Sequence, residues 1–509
     1  MNQSPWDVVV VGLNQSPWDV VVVGAGIAGL TAAALAAKAG SRVLLLEAHN
    51  QTGGCAGTFR RGPFTFDVGA TQVAGLELGG SHQRLFGELG VKLPNAAPLD
   101  PGCVVDLNDG QRPVMLWRDP KRWQLERKQQ FPGSEAFWQL CAGLHHCNWA
   151  FASRQPILPP RNGWDLLQLL KAVGPGSLAS GLFIGNSVAD LLRLCGCPNN
   201  NANRRLWRFL DLQLRLYSQE SAENTAALYG ATVLNMAQEP LGLWHLEGSM
   251  QALSAGLEQA LTNQSGELRL GHRVEKLRFI DGTWQISGQS IAKQKFELTS
   301  AHVVCSLPPQ CLPGMLGEQL PEFYAKRLAS FADPSGALVL YGAVERQCLP
   351  QDCPGHFQLD WQQPGSVFVS ISSDGDGRAP RGKATVIASV FTPAKQWFDL
   401  DPSSYASKKQ EAQLGIEAAL GQLLGIGPND WIQRELSTPR GFARWTGRPY
   451  GFVGGLGQRP RHFGPFGLAS RTPLKRLWLC GDGIYPGEGT AGVSLSAEMA
   501  VKQLLASGD

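Results

Sequence analysis

The sequence is poor in charge, and the charges that it has nearly cancel. Of its 509 residues only 17% are charged, and the formal net charge is +3. A surface that binds nucleic acid needs clustered positive charge to attract the polyanion. We therefore expect no nucleic-acid partner for this protein.

Several sequence signatures of catalysis are also missing. The sequence has no nucleophile elbow, no P-loop and no defensible spacing for a Ser–His–Asp triad. Its eleven cysteines show no zinc-binding spacing, and Cys195 and Cys197 form the nearest pair. With no signal peptide visible, we expect a cytoplasmic protein with reduced thiols and no metal. No catalytic residue can be assigned from the sequence.

The chain begins with a nearly identical repeat. Residues 1–12, MNQSPWDVVVVG, recur at 13–24 as LNQSPWDVVVVG. Only the second copy continues into a glycine pattern, because Gly12 is followed by Leu13 and Asn14. We therefore interpret residues 1–13 as a duplicated, loosely attached extension and expect the first domain to begin near Asn14. Deletion of residues 1–12 should leave the cofactor content unchanged.

A strand, a glycine-rich turn and a helix follow between Asp19 and Glu47. Val20–Val23 is typical of a buried parallel strand, and an Ala/Leu-rich helix extends to Lys38. In such a unit the first glycine makes the tight turn, the second lets the backbone approach a pyrophosphate, and the third lets helix and strand pack closely. The helix N-terminus favours phosphate, and an acid about 20 residues further on accepts hydrogen bonds from a ribose. The predicted dinucleotide contacts are Gly24, Gly26, Ile27, Ala28, Gly29 and Glu47.

The same stretch has a competing interpretation as a membrane span. The run Val20–Ala37 is uncharged and has about the length of a transmembrane helix. However, three glycines lie in its first half and β-branched residues precede the helix. This order fits a strand, a turn and a helix better, so we interpret the stretch as a cofactor site.

Two further glycine-rich loops can approach the same cofactor. Their donors are backbone and hydroxyl groups, and the second loop follows an apolar strand and opens the last helix. The positive end of that helix would stabilise negative charge on a bound cofactor. The predicted contacts are Gly53, Gly54, Gly57 and Thr58 in the first loop, and Gly481, Asp482, Gly489, Thr490 and Ala491 in the second.

Together these motifs resemble the flavin-containing amine-oxidase superfamily, in its carotenoid desaturase and isomerase branch. The resemblance covers the chain from residue 14 and is carried by VVVGAGIAGLTAA, the glycine pair, FDVGA and the Cys480–Ser494 loop. It implies FAD, bound by a two-domain α/β fold of the Rossmann, glutathione-reductase-like type with an interleaved α+β substrate domain. Many members have Arg after the glycine pair. Cys55 stands there in this chain, which argues against an ordinary amine oxidase.

The resemblance also implies a domain division and further site residues. The FAD-binding domain would comprise residues 14–78, 243–312 and 435–509, and the substrate domain residues 79–242 and 313–434. The backbone at Val274 would meet the adenine. Cys55, and Tyr450 in the GRPYG stretch, would line the substrate pocket.

The segment between about Leu78 and Leu243 mixes Trp and Arg with Leu-rich helices, most clearly at Trp164–Val173 and Arg204–Tyr217. Amphipathic rings and long cations are stable at a bilayer interface. The same composition suits helices that cap a substrate cavity with their indoles packed inside. We expect capping from most of these helices, and contact with a membrane surface from at least one.

The substrate implied by the resemblance is a long polyene. Burial of forty apolar carbons at about 0.8 kcal/mol each gives tens of kcal/mol, which exceeds the affinity ceiling of about 20 kcal/mol. Such a substrate would pass directly from lipid into a peripherally bound protein.

The nearest subgroup is the carotenoid 3′,4′-desaturase of photosynthetic bacteria, in which FAD accepts a hydride as a C=C bond is introduced. A carotenoid cis–trans isomerase of the same fold is the first alternative. An FAD amine oxidase is the alternative of another class, and a non-enzymatic carotenoid-binding protein is the third. The electron acceptor is not identified.

Overall fold

The structure is a computed structural model that describes residues 17–507, so the repeat at residues 1–12 lies outside the described part. The strands in this range are β1 Trp18–Val23, β2 Val43–Leu46, β3 Thr58–Arg61, β4 Phe64–Asp67, β5 Ala96–Pro98, β6 Val104–Asp106, β7 Val114–Met115, β8 Trp244–Leu246, β9 Glu267–Arg269, β10 His272–Ile280, β11 Thr283–Ser290, β12 Lys295–Cys305, β13 Ser335–Glu345, β14 His356–Leu359, β15 Val367–Ile371, β16 Lys383–Pro393, β17 Trp431–Ser437 and β18 Leu477–Leu479. The α-helices are α1 Ile27–Lys38, α2 Ser81–Leu89, α3 Pro120–Gln130, α4 Glu135–Ala152, α5 Gly163–Ala172, α6 Pro175–Gly181, α7 Val188–Leu194, α8 Arg204–Ser218, α9 Ala227–Val233, α10 Gln251–Asn263, α11 Leu312–Leu316, α12 Glu322–Ala329, α13 Pro402–Leu424, α14 Pro439–Thr446 and α15 Thr490–Leu505.

The first of two large sheets is built around β1. Its order is β10-β11-β12-β1-β2-β9, with β18 beside β12. β1 runs parallel to β2 and β12, with Val22 opposite Leu45 and Val304. Every residue of Val20–Val23 is buried, as expected for a strand covered on both faces. Helices α1, α10 and α15 cover one of these faces.

The second sheet is mainly antiparallel and has the order β17-β13-β16-β15-β14-β6-β7. Helix α13 packs on it through Ile416, Leu420 and Leu424, which are all buried. The first large sheet thus contains a Rossmann-type parallel unit, and the second is a separate, mainly antiparallel sheet. The predicted α/β fold of the Rossmann type is confirmed.

A helical layer with its own core lies beside the second sheet. Trp123, Trp138, Trp207 and Phe209 of helices α3, α4 and α8 are buried together in it. Helix α8, which combines Trp, Arg and Leu, therefore packs inward. Helices α5 and α6 instead expose several leucines to solvent. In the described range, no helix is both long enough and apolar enough to cross a bilayer.

Packing crosses three of the predicted domain boundaries, and the domain division stays a prediction. Strand β17 spans the boundary between residues 434 and 435 and pairs with β13, so it belongs wholly to the second sheet. Helix α2 packs against the core of the first sheet through Leu85 and Phe86, although residue 79 was predicted to begin the substrate domain. Helices α11 and α12 also pack on the first sheet, beyond the predicted end at residue 312. The motifs do not encode the side-chain packing that joins these elements to their sheets.

Candidate functional site

A large cavity of about 870 Å³ adjoins both sheets and the helical layer. One end is formed by the glycine-rich turn after β1, by residues 53–58 and by the loop before α15. The other end is formed by the second sheet and by helices α4, α5, α6 and α9. The two ends have different chemistry, and each is built from different parts of the sequence.

The turn after β1 has the geometry that a dinucleotide requires. Gly24 has φ +95°, a conformation that glycine adopts without strain. A Cβ on Gly29 would lie 1.8 Å from the carbonyl oxygen of Gly24, so only glycine lets α1 pack this closely. A Cβ on Gly26 would meet no protein atom within 4 Å. The space before Gly26 therefore opens into the cavity, where a pyrophosphate can approach the backbone.

Glu47 is held at the end of β2 by two backbone N–H groups. The amide of Ala25 donates to its Oε2 atom at 2.7 Å, and the amide of His49 donates to its Oε1 atom at 2.8 Å. These bonds fix the carboxylate beside the glycine turn and leave lone pairs for further donors. This arrangement suits the hydroxyls of a ribose.

The loop at residues 53–57 is pressed against the same turn. The amide of Gly53 donates to the carbonyl of Ala25 at 2.8 Å, and a Cβ on Gly54 would lie only 3.3 Å from the Cα of Gly26. Gly53 and Gly54 both have positive φ, at +104° and +57°. The two glycine-rich loops thus form one continuous wall.

The last helix begins on the same wall because α1 and α15 pack side by side. The hydroxyls of Thr31 and Ser494 lie 3.4 Å apart between them. The N-cap residues, Gly26 and Gly489, offer no side-chain cap, so the first N–H groups of both helices are open to a ligand. Two positive helix ends face one cavity, which favours an anionic ligand there.

Most of the predicted cofactor contacts line this cavity. They are Gly24, Gly26, Ile27, Ala28, Glu47, Gly53, Gly54, Gly57, Thr58, Gly481, Asp482, Gly489, Thr490 and Ala491, and Cys55 joins them. The structure therefore brings together segments from both ends of the chain. FAD requires such a composite wall, because it has two phosphates, two sugar-like chains and a large ring system.

Three predicted residues do not line the cavity. Gly29 is enclosed by the packing of α1 on β1, as its predicted packing role requires. Val274 lies on β10 in the core of the first sheet, and its contact with adenine stays a prediction. The ring of Tyr450 is half-exposed and packs against Phe398 and Phe452, and its contact with a substrate stays a prediction.

Arg448, two residues before Tyr450, is the first functional residue that the sequence did not reveal. Its Nη2 atom donates to Asp482 Oδ2 at 2.8 Å, and its Nη1 atom lies 3.6 Å from Cys55 Sγ. Burial alone would lower the pKa of Arg448, but the charges and hydrogen bonds of Asp482 and Cys55 together outweigh this effect and raise that pKa. Where many family members carry Arg at the position of Cys55, this chain brings a guanidinium to it from another loop. The sequence signal that could have revealed Arg448 was its positive charge within the GRPYG stretch.

Glu488 is the second residue that was missed, although it lies within the predicted C-terminal motif. It lines the cavity, and Gln219 Nε2 donates to its Oε1 atom at 2.5 Å. Burial raises the pKa of Glu488 to about 8, and the nearby negative charge of Asp482 adds to this effect. A carboxyl group thus lies beside the cavity in a state that can bind or release a proton near neutral pH.

The far end of the cavity is apolar. Its lining includes Leu169, Val173, Ile184, Leu216, Leu228, Val233, Met236, Phe368, Phe391 and Phe442. It extends to Leu178, which both lines the cavity and is 69% exposed. An elongated apolar molecule can therefore occupy the space between the glycine-rich wall and helices α5 and α6.

Comparison with known families agrees with this geometry. A model of the family described as flavin-containing amine oxidoreductase matches residues 27–505. The chain belongs to this family. It is a flavin-dependent oxidoreductase with FAD as its cofactor, and the composite wall described above fits that cofactor.

Individual relatives have low sequence identity to this chain or match only part of it. Chloroplastic prolycopene isomerase of Arabidopsis thaliana is 25% identical over 528 residues, covering 99% of this chain and 83% of that protein. Human all-trans-retinol 13,14-reductase is 35% identical over 140 residues, which cover 26% of this chain and 21% of that protein. The solved structure of putrescine oxidase bound to putrescine has a TM-score of 0.63 at 17% identity, covering 96% of this chain and 98% of that one. This last likeness concerns the fold alone.

Proposed function

We propose that this protein is an FAD-dependent desaturase that introduces a C=C bond into a carotenoid, at the 3′,4′ position. The observation that carries the proposal is the continuity of the apolar cavity with the wall proposed to hold FAD. The volume and the mainly apolar lining of this cavity support a polyene substrate, part of which would lie against the flavin. The full-length similarity to a prolycopene isomerase supports a polyene substrate.

FAD, when bound, supplies the hydride-accepting ring system. The residues proposed to hold it are the cavity-lining contacts named above, with Glu47 at a ribose and the starts of α1 and α15 at anionic groups. Arg448 pairs with Asp482 and holds its side chain in place beside the cavity. The apolar walls exclude water from the reacting carbons, which strengthens the electrostatic interactions within the site.

An isomerase of the same fold is the second candidate. The similarity to prolycopene isomerase over 99% of the chain favours it. An isomerase rearranges double bonds without net loss of hydrogen, whereas a desaturase removes two hydrogen atoms. A proton-binding carboxyl group beside the cavity favours desaturation, because oxidation by hydride transfer leaves a proton to be accepted, whereas isomerisation releases none in the net reaction.

The third class, an amine oxidase, fits the cavity less well. An amine substrate is polar and needs polar partners where its reacting nitrogen lies. The far end of the cavity offers mainly aliphatic and aromatic side chains to such a group. Cys55, where many amine oxidases have Arg, is a further departure.

We also propose that the cavity is loaded from a membrane surface. Leu166, Leu167, Leu170, Leu178 and Leu182 form a leucine patch on helices α5 and α6 and just after them, and each is at least 47% exposed. The exposed cations Arg161 and Lys171 flank α5. An apolar face bordered by cations suits the interface of an anionic bilayer. Leu178 connects the leucine patch to the cavity, so a polyene could enter without crossing water.

Expression of the full chain in cells that make candidate carotenoids tests the reaction. The proposal predicts a pigment lighter by two hydrogen atoms than its precursor. An unchanged mass with an altered isomer composition would support the isomerase instead. Unchanged pigments, together with peroxide release from an amine, would contradict both polyene reactions.

A further inference from the structure

Glu488 differs from the other carboxylates that line the cavity. Glu47 accepts two backbone N–H groups, and Asp482 is paired with Arg448. Glu435 is paired with Arg61 at the rim, where both side chains are about half exposed. Within residues 17–507, no salt bridge joins Glu488 to a cation. It is the cavity carboxyl group whose negative charge is least compensated.

The surroundings of Glu488 hold it in place without neutralising it. Gln219 donates from Nε2 to Glu488 and to the carbonyl of Gly455, while its Oε1 atom accepts from the amide of Ser335 at 2.7 Å. The amide of Gly455 also donates to Glu488. Three contacts thus fix the Gln219 side chain, which in turn orients the carboxyl group. An oriented group with fixed partners is suited to proton transfer.

The charged and titratable groups around Glu488 are few. Asp482 lies in the same loop, and Arg448 approaches from the GRPYG stretch but bonds Asp482. Tyr229 faces it from α9, with its hydroxyl donated to the carbonyl of Tyr217 at 2.6 Å. The hydroxyls of Tyr217 and Tyr229 stay protonated at neutral pH, because burial raises the pKa of both above the ordinary tyrosine value. Neither can therefore be the first proton acceptor.

We propose that Glu488 is the residue that accepts the proton released by the substrate. This inference rests on the proposed desaturation. One hydrogen leaves its carbon with the bonding electron pair, as a hydride to the oxidised flavin. The hydrogen on the neighbouring carbon leaves as a proton to the Glu488 carboxylate, and the electrons of that second C–H bond form the new double bond. Glu488 becomes neutral and then returns its proton to solvent.

The position of Glu488 suits this role. It directly precedes Gly489, the N-cap residue of α15, in the loop proposed to contact the flavin. Its pKa of about 8 leaves it able both to accept and to release a proton near neutral pH. A purely structural role would be met equally well by a glutamine, which keeps the shape and can bond Gly455.

The first test needs no substrate. The midpoint potential of the bound flavin is measured against pH in the purified holoenzyme, in the wild type and in Glu488→Gln. Negative charge gained on reduction should raise the proton affinity of Glu488. Reduction of the wild type should then take up about one more proton than reduction of Glu488→Gln at pH values above about 8. Glu435→Gln, which removes a compensated rim carboxylate, should match the wild type. Equal proton uptake in all three proteins would overturn the inference.

The second test follows product formation against pH. Turnover by the wild type should increase as Glu488 ionises, through pH 8, and Glu488→Gln should lose this limb and about 10²–10⁴-fold of the rate. Glu488→Asp, which keeps the carboxyl group, should recover part of the lost rate. Wild-type turnover in Glu488→Gln would overturn the role of Glu488 and leave the desaturase proposal standing. If the wild type forms no desaturated product, the proposed function fails, whereas the difference in flavin proton uptake would still assign a proton site to Glu488.

Discussion

Arg448 Nη2 lies 2.8 Å from Asp482 Oδ2, and this pair joins two loops that are 34 residues apart in the chain. Both side chains are mostly buried, at 13% and 18% exposure. Breaking a buried pair leaves one charge without a partner, which costs about 3–5 kcal/mol. The pair is therefore expected to matter for the flavin site far more than a surface ion pair would.

Arg448→Met should accordingly lower the FAD content of the purified protein by at least tenfold. The variant leaves Asp482 uncompensated beside the proposed ribityl or pyrophosphate region. Arg434→Met is a matched control, because Arg434 pairs with Glu417 outside the cavity. Flavin absorbance per protein measures both. Full flavin retention in Arg448→Met would contradict the assigned role.

Two glycines of the β1–α1 turn should respond to alanine in opposite ways. In Gly26→Ala the added methyl group meets no protein atom within 4 Å, so the melting temperature of the apoprotein should hardly change while FAD binding weakens. In Gly29→Ala the methyl group would lie 1.8 Å from the Gly24 carbonyl, so the fold itself should be destabilised. Thermal unfolding and flavin titration of both variants separate the two effects. If Gly26→Ala destabilised the fold while Gly29→Ala weakened only FAD binding, the phosphates would not lie at this turn.

Glu47→Ala should abolish flavin retention. The substitution removes the proposed ribose acceptor and also leaves the amides of Ala25 and His49 without their carboxylate partner. Each buried donor without a partner costs about 1–3 kcal/mol. Glu47→Gln keeps one acceptor oxygen, so it should destabilise the folded protein less than Glu47→Ala does. It should still bind FAD poorly. A yellow, fully loaded Glu47→Ala protein would rule out this site for the dinucleotide.

The leucine patch should govern binding to vesicles. Leu170→Ser with Leu182→Ser should weaken co-sedimentation with anionic phospholipid vesicles by about tenfold or more, since a buried leucine contributes about 1.5–3 kcal/mol. Both side chains are already exposed, at 60% and 81%, so the melting temperature should stay the same. Leu414→Ser, equally exposed on α13, is the control. Unchanged vesicle binding in the double variant would argue against loading through α5 and α6.

Glu488 should make the folded protein less stable as pH rises. Its folded-state pKa of about 8 lies above the ordinary value of 4.5, so the folded state binds the proton more tightly than the unfolded chain. The resulting stabilisation is complete below pH 4.5 and is lost between about pH 4.5 and 8. Glu488→Gln should therefore gain stability over the wild type, by an amount on the order of a few kcal/mol, in denaturant titrations above pH 8. A constant difference between pH 5 and pH 9 would contradict the raised pKa.

The parts of the fold that local patterns encode could be predicted from the sequence. The β1–α1–β2 unit follows from an apolar β-branched run, three glycines and an acid at fixed spacings, and it is present as predicted. The convergence of the Gly53 loop and the Gly489 loop followed from the family resemblance. The β1–α1–β2 unit lies within some 30 residues of chain, and each of the two loops is one recognisable motif.

The remaining features depend on packing between distant segments. Arg448 and Cys55 are 393 residues apart in the sequence, and no local sequence pattern predicts their contact. Glu488 owes its raised pKa to enclosure by α8, α9 and the Gly455 loop, which the sequence does not reveal. Helix α8 resembles a membrane-surface helix in composition, yet Trp207 and Phe209 are buried against α3 and α4. Composition alone did not distinguish it from α5, which exposes its leucines.

The most direct test of polyene oxidation is a single turnover without oxygen. Oxidised holoenzyme is mixed anaerobically with a carotenoid in vesicles, and the flavin absorbance and the pigment mass are followed together. Desaturation predicts that each flavin loses its oxidised absorbance as one pigment molecule becomes lighter by two hydrogen atoms. A flavin that stays oxidised with every carotenoid, but is bleached by an amine, would contradict it.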